Sequence, residues 1–208
     1  MRKSLELLLG TIFPNSCVLC GREIAPFSVI CDECEHELLQ GPIPLVEKTK
    51  WCEVHFYGRY DSKLRKAILA YKNEGHWRLR RILAKMLIAT MERYKIPCDR
   101  LTWVPSSFRA LEERGYDTMG TIAKIVGRSI HLECASLIES TASSTKRGLT
   151  RQQRKESVRG AFRLKGKPEG VIALIDDVYT TGATMNECAR LLLEAGAQKI
   201  VAYCIARA

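Results

Sequence analysis

Over residues 51–208 the hydrophobic pattern switches repeatedly between a period of two and a period near 3.6. Cys52 to Tyr57 alternates, with Val54 and Phe56 on one face, and predicts a strand. Asp61 then stands where an N-cap belongs, ahead of Leu64, Ile68 and Tyr71 on one helical face. Residues 77–94 predict a longer helix with Leu79, Ile82, Leu83, Met86 and Thr90 inward. LTWVP, ending at Pro105, predicts a short buried strand, Thr118 to Val126 a helix, and Ser136 to Ile138 a weak strand. VIALID, from Val171 to Asp176, is an unbroken apolar run that ends in two acids, the pattern of a central parallel strand buried on both faces. Gly182 to Ala195 predicts a helix with Met185, Cys188, Leu192 and Ala195 along one face and Gly196 as its stop. Ile200 to Ile205 is the last strand. This alternation of strand and helix predicts an α/β fold with a central parallel sheet flanked by helices.

Three zones divide the chain. Residues 1–40 hold a cysteine cluster, 41–50 a connector stiffened by Pro42 and Pro44, and 51–208 the α/β pattern. The opening MRKSLELLLGTIFP resembles a signal peptide in its two basic residues and Leu5 to Leu9, but Glu6 interrupts the apolar stretch and no small-residue cleavage site follows, so an amphipathic helix is expected there. There is no internal repeat and no low-complexity tract. No apolar run approaches the roughly 20 residues needed to span a bilayer, so no membrane insertion is expected.

The richest string is VIALIDDVYTTGAT, Val171 to Thr184. A buried strand carries Asp176 and Asp177 to its carboxyl end, where ligands bind in open α/β sheets. Val178, Tyr179, Thr180, Thr181, Gly182, Ala183 and Thr184 then lead into a helix, whose N-terminus offers N–H groups and partial positive charge to a phosphate. The threonines can add hydroxyl donors, and Gly182 lets backbone approach an anion closely. Two carboxylates beside a phosphate cradle would repel a polyphosphate tail, but they can accept hydrogen bonds from sugar hydroxyls. A sugar phosphate is the expected ligand, with ribose hydroxyls on the acids and the 5′-phosphate in the loop. A plain strand–turn–helix, with Asp177 as N-cap and turn-forming threonines, would explain DD or TTG alone but does not call for the whole string.

Cys17-x-x-Cys20 and Cys31-x-x-Cys34 form two CxxC knuckles. The spacing predicts one structural zinc bound by Cys17, Cys20, Cys31 and Cys34, with no open position for catalysis. Redox pairs are disfavoured because no thioredoxin-like βαβ pattern surrounds them. His36 is expected at the surface, and Cys52, Cys98, Cys134, Cys188 and Cys204 as core or half-buried residues. Nine cysteines, odd in number and five of them scattered singly, point away from a disulfide scaffold and toward a reducing, cytoplasmic compartment.

The net charge of +10 is unevenly spread. Residues 141–168 carry nine Lys or Arg against one Glu, and residues 59–95 eleven against three acids. Solvated helix faces and a basic loop would explain this, and so would a field that gathers polyanions such as pyrophosphate, nucleotide or nucleic acid. Tyr60, Tyr71, Trp77 and Phe162 are the aromatic candidates for base stacking within these stretches.

VIALIDDVYTTGAT resembles the phosphoribosyl pyrophosphate (PRPP) motif of type I phosphoribosyltransferases. With the cysteine cluster, AYKNEG (Ala70 to Gly75), WVPSSFRALEERGYD (Trp103 to Asp117) and RQQRKESVRGAF (Arg151 to Phe162), the chain resembles the ComF (GntX-type) family of competence-associated proteins along nearly its whole length. The resemblance implies a type I phosphoribosyltransferase fold with a small N-terminal four-cysteine zinc module. It implies ribose hydroxyls on Asp176 and Asp177, the 5′-phosphate on Tyr179 to Thr184, pyrophosphate near Arg109, Arg114 and Gly115, and magnesium accompanying PRPP. Arg151, Arg154, Lys155 and Arg159 would belong to a flexible loop closing over the site. The chain departs from the family in Ser106 and Ser107, where a second proline is usual after the VP pair, and in Ser157, where Asn is usual.

Thr180 stands where purine-salvage members of the wider fold place an Asp that deprotonates the nucleobase, so purine salvage is disfavoured. The sequence identifies no catalytic residue. Three functions remain open. One is a PRPP-binding protein of DNA uptake in natural transformation, touching single-stranded DNA and other uptake proteins. Another is an active phosphoribosyltransferase on a nucleobase-type acceptor, and the last a domain that has lost its ligand, against which the intact DD and TTGAT argue. Acceptor and oligomeric state are not encoded in any recognisable pattern.

Overall fold

The computed structural model describes residues 15–141 and 160–208. The expected helix at the chain's start and the basic-loop residues Arg151, Arg154, Lys155 and Arg159 lie outside the described residues.

In chain order the elements are β1 (Asn15–Ser16), β2 (Glu23–Ile24), α1 (Asp32–Leu38), β3 (Val46–Lys48), β4 (Glu53–Arg59), α2 (Ser62–Asn73), a 3-10 turn (Trp77–Leu79), α3 (Arg80–Tyr94), β5 (Arg100–Trp103), α4 (Phe108–Arg114), α5 (Thr118–Ser129), β6 (Glu133–Cys134), β7 (Ile138–Ser140), β8 (Phe162–Leu164), β9 (Val171–Tyr179), α6 (Ala183–Glu194) and β10 (Lys199–Arg207). The central sheet has the order β3-β4-β10-β9-β5-β6. From β4 to β6 every neighbouring pair is parallel. The expected α/β fold is present, with one difference. The sheet is mixed, because β3 pairs antiparallel with β4, Val46 opposite His55 and Lys48 opposite Glu53. An antiparallel edge needs only a tight turn. Thr49 makes it: its N–H donates to the Cys52 carbonyl at 2.9 Å, and its hydroxyl oxygen accepts from Trp51 and Cys52 N–H at 3.1 and 3.0 Å.

VIALID is apolar throughout because both faces of β9 are covered. Ile172 and Leu174 pack with Val54, Phe56, Ala202 and Cys204 against Met185, Cys188 and Leu192 of α6. Ala173 and Ile175 face the opposite layer, with Ile68 of α2, Leu83 and Leu87 of α3 and Ile122 of α5. The helix expected over 77–94 starts as the 3-10 turn and becomes α-helical at Arg80. The weak strand expected at 136–138 appears at Ile138–Ser140 and leaves the central sheet to pair with β8. Residues 108–114, for which the hydrophobic pattern predicts no element, form α4, which buries none of its residues.

Leu19, Ile30 and Leu38 of the cysteine segment belong to the same core as Leu64 and Ile68. Polar ties reinforce that seam. Tyr57 donates its hydroxyl to the Leu38 carbonyl at 2.8 Å, Lys66 reaches the Leu19 carbonyl at 2.7 Å, and Lys85 pairs with Glu35 at 2.7 Å. Among the described residues no helix is long and apolar enough to cross a membrane.

Candidate functional site

β9 runs past the two acids to Tyr179, because β10 keeps pairing with it, Arg207 opposite Tyr179. The chain then turns at Gly182, whose φ of +73° lies in the left-handed region, and enters α6. A β-carbon at Gly182 would stand 2.1 Å from the Tyr179 hydroxyl, so this turn admits no other residue while the ring stays in place. Tyr179 is buried and packs edge-on against Phe56 at 5.3 Å. It supports the loop from below. Thr180 is exposed, and its carbonyl accepts from Arg207 at 3.1 Å. Thr181, Ala183 and Thr184 are half-buried around the first turn of α6, where N–H groups have no preceding turn to bond. Asn186 donates to the Gly182 carbonyl at 2.8 Å and braces the turn.

Asp176 and Asp177 sit just before this loop. Asp177 is 8% exposed, and its carboxylate lies 2.8 Å from the Lys72 ammonium. Burial works against the charge on Lys72, but the Asp177 and Asp176 carboxylates outweigh it and hold the amine above its ordinary pKa. Burial and then the neighbouring Asp177 push the Asp176 carboxyl well above the ordinary carboxylate range, against the opposing pull of Lys72 and of the Asp177 N–H. That N–H reaches the Asp176 carboxylate at 2.8 Å. The two acids are thus unequal: one is neutralised by a lysine, and the other is a poorly solvated acceptor that gains from any hydroxyl donor or cation brought to it.

The loop after β5 faces the same end of the sheet. Ser106 donates to Asp117 at 3.0 Å, and Trp103 donates its indole N–H to the other oxygen of Asp117 at 2.6 Å. Ser107 caps α4, accepting from the Ala110 N–H at 3.3 Å. The two serines that stand where a proline is usual therefore fasten this loop by hydrogen bonds. Arg114 donates to Asn73 at 3.4 Å, next in the chain to Lys72, whereas exposed Arg109 pairs along its own helix with Glu113. Arg114 joins the acid pair's surroundings and Arg109 does not. Gly115 ends α4 with φ +77°. Lys72, Asn73 and Asp117 were not singled out as site residues in the sequence. AYKNEG carried the first two, but no spacing rule connects a helix end at 72 with a strand end at 177.

The four thiols form a separate centre. The sulfurs of Cys17, Cys20, Cys31 and Cys34 all lie within 4.8 Å of one another, and Cys20 and Cys31 are 3.8 Å apart. Tetrahedral zinc with sulfurs at about 2.3 Å requires sulfur–sulfur edges of about 3.8 Å, so the cluster fits that ion. Gly21, at φ +77°, turns the first knuckle, and Cys31 caps α1 by accepting the Cys34 N–H. Burial works against a Cys17 thiolate, but N–H groups of Cys31, Cys20 and Leu19 bring its pKa down to about 6, while burial and the sulfurs of Cys31, Cys20 and Cys17 push Cys34 up to about 12. A cation shared by all four would relieve that conflict. His36 is exposed, as expected. Cys52, Cys188 and Cys204 are buried and Cys98 and Cys134 half-buried, also as expected.

No protein-family model matches the chain. Individual proteins do. The chain is 26% identical over 204 residues to Competence protein F of Haemophilus influenzae, covering 92% of this chain and 84% of that protein. It is 25% identical over 204 residues to DNA utilization protein YhgH of Escherichia coli (strain K12), covering 92% and 89%. It is 29% identical over 150 residues to Competence protein ComFC of Streptococcus pneumoniae, covering 71% and 65%.

Proposed function

We propose that the chain is a ComF-type protein, in keeping with its similarity to the competence and DNA utilization proteins, and that it binds PRPP and acts in DNA uptake during natural transformation, with direct contact to single-stranded DNA. The observation that carries the PRPP reading is the unequal acid pair beside the Gly182 turn. Asp176 accepts ribose hydroxyls, and Lys72 keeps Asp177 from adding an unbalanced charge. The first turn of α6, with Thr181 and Thr184, takes the 5′-phosphate. The pyrophosphate lies toward Arg114 and the Ser106–Ser107 loop. Magnesium suits this place because it is bound through one or two carboxylates together with ligand phosphates. Zinc in the four-cysteine centre is structural. At Thr180 there is a hydroxyl where a proton-accepting acid would serve a purine acceptor, so purine salvage is disfavoured.

Calorimetry with PRPP and magnesium tests the site. Asp176→Asn preserves shape and the Asp177–Lys72 pair while removing a charged acceptor. A charged hydrogen bond contributes about 1.5–3 kcal/mol, so affinity falls at least about tenfold with the fold intact. An Asp176→Asn protein that binds PRPP as well as the parent would place the ligand elsewhere.

A further inference from the structure

Two large aromatic side chains from distant parts of the chain lie exposed on one patch. Phe27 is 63% exposed and Trp77 is 49% exposed. Phe27 stands in the turn between β2 and α1, and Trp77 opens the 3-10 turn ahead of α3. Arg78 lies between them, its guanidinium carbon 5.7 Å from the centre of the Phe27 ring and 5.5 Å from that of Trp77. Arg80 covers Trp77 at 4.1 Å. Arg78 also donates to the Phe27 carbonyl, and Arg80 donates to the Trp77 carbonyl at 3.0 Å. Among the described residues neither guanidinium has a carboxylate partner.

Phe27 has φ +69°. A bulky L residue takes this left-handed conformation only where its surroundings fix it, and such positions cluster where ligands are held. Two unpaired cations and two exposed rings, one of them held in a strained backbone, are poor choices for a surface with no partner. The charge selects among partners. A second copy of this basic chain would set arginine against arginine, and duplex DNA keeps its base faces stacked. Unpaired bases present flat π faces to aromatic rings and guanidinium planes, with phosphates alongside.

We propose that Phe27, Trp77, Arg78 and Arg80 form a stacking platform for neighbouring unpaired bases of single-stranded DNA, with the guanidinium groups also meeting the flanking phosphates. This rests on the single-stranded DNA contact put forward above and gives it a place. The platform joins the cysteine module to the chain that leads out of α2, whose last turn bears Lys72 and Asn73. Zinc loss would therefore move Phe27 and weaken DNA binding without touching the acid pair.

Fluorescence anisotropy with a labelled oligo(dT) at low salt, together with intrinsic tryptophan emission, provides the test. The wild type binds and its emission is quenched. Phe27→Ala combined with Trp77→Ala weakens binding at least about tenfold, the scale of losing stacking on two rings. Trp77→Phe keeps most of the affinity and loses most of the quenching. Arg78→Gln with Arg80→Gln lowers the salt slope by about 1 to 2. PRPP affinity and zinc content serve as controls for folding and stay at wild-type values. If wild-type protein binds oligo(dT) but the double alanine variant binds it equally, or if Trp77→Phe retains full quenching, the platform is wrong while the DNA contact stands elsewhere. Equal affinity for a duplex of the same length overturns it as well. If wild-type protein binds no oligo(dT) at low salt, the direct DNA contact itself falls.

Discussion

At the end of β9 a finished core holds the polar groups in place. Ile172, Ala173, Leu174 and Ile175 are fully buried beneath Asp176 and Asp177, and Lys72 arrives from a helix that belongs to the same core. In the cysteine segment the strands β1 and β2 are two residues each, and the buried apolar residues of the module lean on α2 and α3. The first region has surplus packing and uses it to keep a carboxylate poorly solvated. The second has little packing of its own and brings together four thiols that fit a zinc ion. Burial sets the unfavourable charge at Asp176, whereas in the module it is four neighbouring thiols that crowd one another around a place fit for a cation. Loss of charge compensation should therefore leave the β9 end standing and weakened, whereas loss of the cation should dismantle the module.

The largest effect tests the module. Elemental analysis should give about one zinc per chain, and Cys31→Ser or chelation should remove it. Binding of structural zinc in isolated fingers is worth about 10–16 kcal/mol at neutral pH. Amide exchange should then accelerate across residues 15–38 and, to a lesser degree, along α2, whose Leu64 and Ile68 pack in the same cluster as Leu19 and Leu38. Protection in β9 and β10 should persist. Zinc well below half an equivalent in carefully prepared protein would remove the basis of the contrast, as would module protection that survives chelation.

Lys72→Met comes next. It leaves Asp177 buried without its cation. Breaking a fully buried pair costs about 3–5 kcal/mol, and partial exposure of the Lys72 side chain, 27% against 11% for Asp177, reduces this to about 2 kcal/mol. The urea midpoint reports the loss. Adding Asp177→Asn should recover most of it, because the stranded charge is then gone. No recovery would mean that Lys72 stabilises through its aliphatic stem.

A smaller effect carries a pH signature. The Asp176 carboxyl has a folded pKa above the ordinary value of 3.8, raised first by burial and then by Asp177. A carboxyl raised on folding binds its proton more tightly in the native state. Its stabilising contribution is complete below about 3.8 and is lost as pH rises through the folded pKa. Asp176→Asn should therefore be more stable than the parent at neutral pH, with an advantage that vanishes as the pH falls toward 3.8. The same substitution removes PRPP affinity in calorimetry, so stability and binding move in opposite directions. A stability difference independent of pH would show that Asp176 is solvated and its charge costs nothing.

Much of this was legible in the sequence because the signals are local. VIALID, the helix face Met185–Cys188–Leu192 and the paired CxxC knuckles each carry their geometry within a short stretch, and each appears as expected. The parts that escaped are long-range or exposed. Lys72 meets Asp177 across the fold, Arg114 meets Asn73 across two helices, and β3 takes its direction from a hairpin turn built by one threonine. The patch of Phe27 and Trp77 combines residues fifty positions apart. No periodicity marks such pairs, since they arise only when helices and strands have packed.

The smallest effect concerns α4, which among the described helices stands out in burying none of its residues. Its start is fixed by Ser107, and Arg114 near its end reaches Asn73. Removing a capping hydroxyl costs about 1 kcal/mol in an ordinary helix. With no buried residue to share the cost, Ser107→Ala should melt α4 locally and leave the global urea midpoint almost unchanged. Ser106→Ala should do less still, because Asp117 keeps its bond from the Trp103 indole. Amide exchange at Ala110 and Leu111 distinguishes the two variants. If α4 helps hold pyrophosphate, Ser107→Ala should weaken PRPP binding by a few-fold and leave ribose 5-phosphate binding unchanged, since the latter rests on the acids and the Gly182 turn. Equal losses for both ligands would assign α4 to the general stability of the site, and no loss for either would place the pyrophosphate away from Arg114.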